Sequence, residues 1–80
     1  MNRKTILEKV QYVFRKVFDD EELVVSDDTT SDDIEDWDSI SHVDIVENLQ
    51  TEFGITFTSY EIGSWIDVGE MVDCIEKKLN

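Results

Sequence analysis

Trp37-Asp38-Ser39-Ile40-Ser41 stands where an acidic, irregular stretch of this 80-residue chain turns into an apolar-periodic one. The change of pattern places a serine hydroxyl at the first turn of a helix. A serine at an N-cap accepts a hydrogen bond from a free backbone N–H and lies outside the helix cylinder, where solvent or another protein reaches it. A phosphate ester built on it would lie beside the unpaired N–H groups of the first turn, at the positive end of the macrodipole. Alone the signal is weak, because most serines at such positions are caps and nothing more.

Downstream, Ile40, Val43, Val46, Leu49 and Phe53 recur at helical spacing and predict a helix from about Ser39 to Glu52. Asp44 and Glu47, with Asp38 at its mouth, give this helix an acidic outer face. Gly54 is placed to end it, since glycine adopts positive φ at least cost. Thr58 and Glu61 form a capping-box pattern before a short helix around 59–63, which Gly63 would stop. Asp67 and Glu70 repeat the pattern before a last helix running to about Lys78, whose inward face is Val68, Met71, Val72, Ile75 and Leu79. Ile55-Thr56-Phe57 has strand-like composition, but a lone strand finds no partner here.

Upstream, Ile6, Val10, Val13, Phe14 and Val17 make the stripe of a first helix over roughly residues 3–18. It is capped by a Thr5/Glu8 box or begins nearer Asn2. Residues 19–38 hold eleven acidic side chains and no basic one, broken by Leu23-Val24-Val25, Ile34 and Trp37. That pattern predicts a long loop tied across the molecule by apolar anchors. The expected fold is all-α: one domain spanning residues 1–80, a small four-helix bundle of three main helices and one short one.

The formal net charge is −13, and no lysine or arginine occurs between Val17 and Glu76. Such a field repels nucleic acid and anionic membranes and attracts basic protein faces. Solubility alone also accounts for an acidic composition. Cys74 is the only cysteine, so no internal disulfide or cysteine-based zinc cluster is possible. It reads as a half-buried helix residue rather than a nucleophile. His42, the only histidine, has no partners for a metal site or a triad. The N-terminus lacks a signal peptide's apolar core and no apolar run approaches membrane-spanning length, so a cytoplasmic monomer is expected.

In Asp38-Ser39-Ile40, with Trp37 before it and Ser41-His42-Val43-Asp44-Ile45-Val46 after it, the chain resembles the acyl carrier and peptidyl carrier protein family. Glu52-Phe53-Gly54-Ile55 and Val68-Gly69-Glu70-Met71-Val72-Asp73-Cys74-Ile75 extend the resemblance to nearly the whole chain. It implies that Ser39 carries a 4'-phosphopantetheine arm, attached as a phosphodiester by a phosphopantetheinyl transferase that uses coenzyme A. The arm's thiol would hold an acyl or aminoacyl group as a thioester. The family roles map to Asp38, which presents the serine to the transferase and its divalent cation. They also map to Asp44, Glu47 and Glu52, which would meet basic docking surfaces on a loading ligase, synthase or transferase. Ile40, Ile62 and Trp65 fall where the resemblance implies arm contacts. Ile40 replaces the usual leucine, Asp36 a frequent glycine, Glu47 a frequently apolar residue and Trp65 a smaller aliphatic one.

The residues disfavour an enzyme: there is no nucleophile paired with a base and no shielded carboxylate pair, so no catalytic residue is assigned. Asp28, Thr30 and Asp32 have calcium-loop spacing, but Asp33 stands where such a loop needs glycine and Ser39 where it needs glutamate. No metal site is expected. The rival function is an unmodified acidic interaction module with the same fold. The sequence leaves fatty acid, polyketide, nonribosomal peptide and other biosynthetic settings open.

Overall fold

The computed structural model describes all 80 residues. Four helices follow in order: α1 (Arg3–Val17), α2 (Ser39–Phe53), α3 (Ser59–Ser64) and α4 (Val68–Leu79), with no strand. The all-α reading holds, and Ile55-Thr56-Phe57 is irregular connection.

α1 packs against both α2 and α4. Its Ile6, Val10, Val13 and Phe14 meet Ile45 and Leu49 of α2 and Val68, Met71, Val72 and Ile75 of α4 in one core, all essentially inaccessible to solvent. Fully burying such a side chain is worth roughly 1.5–3 kcal/mol. An exposed ion pair gives about 0–1 kcal/mol. Apolar burial therefore sets how the three long helices lie.

One face of α2 departs from the expected stripe. Ile40 is 76 % exposed and Val43 53 %, while Ile45 takes a fully buried core position. The helix is apolar on two sides, so the spacing through Ile40 and Val43 satisfied the same periodicity as the true core face.

The helix ends show which side chains do the capping. Asn2 caps α1, its side-chain oxygen accepting the Thr5 N–H at 2.9 Å, so the Thr5/Glu8 alternative is set aside. Thr58 and Glu61 form the expected reciprocal box on α3. Gly63 lies inside α3, which runs on to Ser64 and ends at Trp65 in extended conformation. Asp67 accepts the Glu70 N–H, but Glu70 reaches past Asp67 to the Ile66 N–H, so that box is open on one side. Gly54 has φ +65° and closes α2 as expected, its N–H donating to the Gln50 carbonyl at 2.9 Å.

The acidic segment between α1 and α2 is fastened by its backbone. Val25 and Ile34 are buried, and Leu23 and Trp37 pack against the core. The carbonyls of Thr29 and Asp27 accept the N–H groups of Val68 and Gly69 at 2.9 and 2.8 Å. The loop thus satisfies two donors that the first turn of α4 leaves open. Gly69 permits the approach, since a Cβ there would stand 2.9 Å from the Asp27 carbonyl oxygen.

Candidate functional site around Ser39

Asp38, not Ser39, is the N-cap of α2. Its carboxylate accepts the N–H groups of Ile40 at 3.0 Å and Ser41 at 2.9 Å, while the Ser41 hydroxyl accepts the Asp38 N–H at 2.9 Å. These bonds, the Ser41 N–H foremost, hold the Asp38 carboxyl below its ordinary range against the opposing effect of desolvation. Ser39 is consequently the first helical residue, exposed and released from capping duty. The expected cradle of free N–H groups for a phosphate is largely taken by Asp38, and a group on Ser39 would project beside that carboxylate into solvent.

An open groove of about 540 Å³ begins at this serine. Asp38, Ser39, His42 and Val43 form its α2 side; Ile62, Gly63, Trp65 and Ile66 form the side facing them. Trp37 and Ser31 complete the lining. Ile62 and Trp65, singled out from the sequence, are thus brought to Ser39, whereas Ile40 is not on the groove wall. Val43, Ile66, Trp37 and His42 were not anticipated there. Trp37 and His42, five residues apart, gave no periodic signal, because the loop path rather than a helix face joins them.

The groove floor is aromatic. Trp37 stands edge-on to Phe14 with ring centroids 5.1 Å apart, stacks with His42 at 5.9 Å, and His42 meets Trp65 at 5.9 Å. Phe57 closes the row against Trp65 at 4.9 Å. Trp37 Nε1–H donates to His42 Nδ1 at 3.0 Å, which leaves Nε2–H to donate to the Ile62 carbonyl at 3.0 Å.

Asp44 and Glu47 are exposed along α2. Glu52 is half-buried and engaged by Lys9 at 3.4 Å, so its charge is partly balanced within the chain. Cys74 lies away from the groove on α4, its thiol donating to Glu61 Oε2 at 3.6 Å. Burial and the Glu61 charge push that thiol's pKa up, which keeps it protonated and weakly nucleophilic. Glu61 is held down to about 2 by the Thr58 N–H and then by Lys78, whose ammonium is 2.9 Å away.

A helical bundle that offers one exposed serine at the head of an acidic helix, with a groove beside it and no reactive nucleophile, has the form of a carrier domain. The solution structure of a holo acyl carrier protein from Geobacter metallireducens is 35 % identical to this chain, superposes with a TM-score of 0.86, and pairs 92 % of this chain with 85 % of its own. The chain belongs to the acyl carrier protein family and is a non-catalytic carrier protein. No family model matches the chain, and no curated protein does.

Proposed function

We propose that Ser39 is the attachment point of a 4'-phosphopantetheine arm and that the protein presents acyl or aminoacyl groups on that arm to partner enzymes. The observation that carries the reading is the position of Ser39: first in its helix, exposed, relieved of capping by Asp38, and at the mouth of an apolar-sided groove. A relative of the same fold is a holo protein.

The chemistry of attachment is a phosphoryl transfer. Ser39 Oγ attacks the pyrophosphate phosphorus of coenzyme A that bears the pantetheine; the bond to the second phosphate breaks, and adenosine 3',5'-bisphosphate leaves. The serine proton passes to a base on the transferase. When attached, the arm supplies a thiol that holds the carried group as a thioester. Asp38 contributes a carboxylate whose pKa the first-turn N–H groups lower and which lies next to the reacting hydroxyl, suited to a divalent cation brought by the transferase. Ile62, Trp65, Val43 and Ile66 give the arm an apolar bed, and Ile40 remains beside Ser39 as an exposed contact for the partner. Asp44 and Glu47 steer partners with basic surfaces, with Glu52 adding less because Lys9 engages it.

Incubating the protein with coenzyme A, magnesium and a broad-specificity phosphopantetheinyl transferase is expected to raise its mass by one phosphopantetheine unit. Ser39→Ala should gain nothing. An unchanged mass in the native protein would reject the assignment and leave the unmodified interaction module.

A further inference from the structure

The residue whose bonding is least explained by the carrier reading is His42. Both ring nitrogens are engaged, and each bond crosses between elements: Nδ1 to the indole of Trp37 in the loop before α2, Nε2–H to the carbonyl of Ile62 in α3. The second bond reaches a group with few other options. Ile62 lies in the last turn of a six-residue helix, so its carbonyl is among those a helix end leaves open, and the Ile66 N–H that might close it is taken by Glu70.

α3 also has unusually little to hold it. None of its residues is buried. It is attached by the Glu61 links to Lys78 and Cys74, by Trp65 just beyond its end, and by His42. Ile62 and Gly63 of this helix form one wall of the groove beside Ser39. Displacing α3 from α2 would also open the aromatic row, in which His42 lies between Trp37 and Trp65 and behind which stands the fully buried Phe14.

We propose that His42 is a positioning residue that latches α3 to the helix bearing Ser39, fixing the groove wall and closing the passage from groove to core, so that a carried group stays at the surface. The first half concerns the unmodified chain. The second rests on the assignment of the arm to Ser39. The latch needs the neutral ring in its Nε2–H tautomer, which the indole N–H of Trp37 selects by occupying Nδ1. A long alkyl chain entering between α2 and α3 would have to part Nε2–H from the Ile62 carbonyl while offering neither a partner.

Two substitutions separate the two bonds. Gln at 42 can place an amide N–H near the Nε2 position and keep the bond to Ile62; Asn at 42 reaches only the Nδ1 position and keeps the bond from Trp37. In the unmodified protein, amide exchange at Ile62 and Gly63 should quicken about three- to tenfold in His42→Asn, the range expected for one lost hydrogen bond, and much less in His42→Gln. Ring nitrogen signals of the native protein should report the Nε2–H tautomer. Equal exchange in the two variants, or an Nδ1–H ring, would overturn the latch. For the second half, the modified protein is loaded with an acetyl or a dodecanoyl thioester and the methyl signals of Ile45 and Leu49 are compared. They should agree between the two native forms and diverge in His42→Asn; divergence already in the native protein would overturn the closure. Failure of the arm to attach is read separately as absent mass gain and leaves the exchange result decisive for the latch.

Discussion

Glu61 concentrates three tasks in one carboxylate: it closes the capping box of α3, pairs with Lys78 and accepts the Cys74 thiol. Its folded-state pKa of about 2 lies below the ordinary 4.5, so its contribution to stability is fully present above about pH 4.5 and is lost as pH falls toward 2. Glu61→Gln should therefore melt at a lower temperature than the native protein at neutral pH, with the gap narrowing as thermal scans move down through that window. A constant gap would mean that the charge contributes nothing. Gly69 makes the complementary point with no side chain at all. In sequence it resembles a poor helix former in an otherwise good helix, and only the approach of the Asp27 carbonyl explains it. Gly69→Ala gains helix propensity yet should lose about 1–3 kcal/mol in urea unfolding, because the added methyl meets backbone that cannot turn aside.

At the level of elements, the sequence was most readable where a single physical demand acted. α1 and α4 each have one apolar stripe, and both were placed to within a residue or two. Gly54 and the Thr58/Glu61 box were legible because positive φ and an open helix N-terminus leave few chemical solutions. α2 was legible in extent but not in rotation, since it carries a second, exposed apolar side beside the one that packing requires. Ile40→Ala should consequently change stability by no more than about 0.5 kcal/mol. Ile45→Ala should cost about 2–5 kcal/mol. The order of the two values from denaturant titration would reverse if the helix were rotated to bury Ile40 in place of Ile45. Of the site, Asp38, Ser39, Ile62 and Trp65 could be named in advance from family resemblance. His42 could not, because a loop-to-helix bond at Trp37 and a helix-end bond at Ile62 both depend on the tertiary path.

Across the whole molecule the charges are segregated in sequence and partly reunited in space. The acids of residues 19–38 have no basic neighbour in the chain, but Arg3 returns to the segment and pairs with Asp27, while also meeting Asp73 and Glu76 of α4 and the Gly69 carbonyl. Asp73 and Asp27 hold the guanidinium pKa up against the effect of burial. One cation thus ties the start of α1, the acidic loop and α4 at the place where the loop caps α4. Even so the net charge is −13, with 20 acidic side chains against seven basic ones. Screening or weak cation binding should relieve the repulsion among the acids, so the melting temperature should rise with moderate sodium chloride and with magnesium. Arg3→Gln removes the compensating charge and leaves three carboxylates close together, so it should destabilise more than loss of an isolated surface pair, typically worth about 0–1 kcal/mol. Because most of that loss is repulsion, it should shrink as salt is added. Melting curves of the two proteins across a salt series decide the matter: converging curves identify the tie as electrostatic, whereas a salt-independent gap would assign Arg3 a packing role instead.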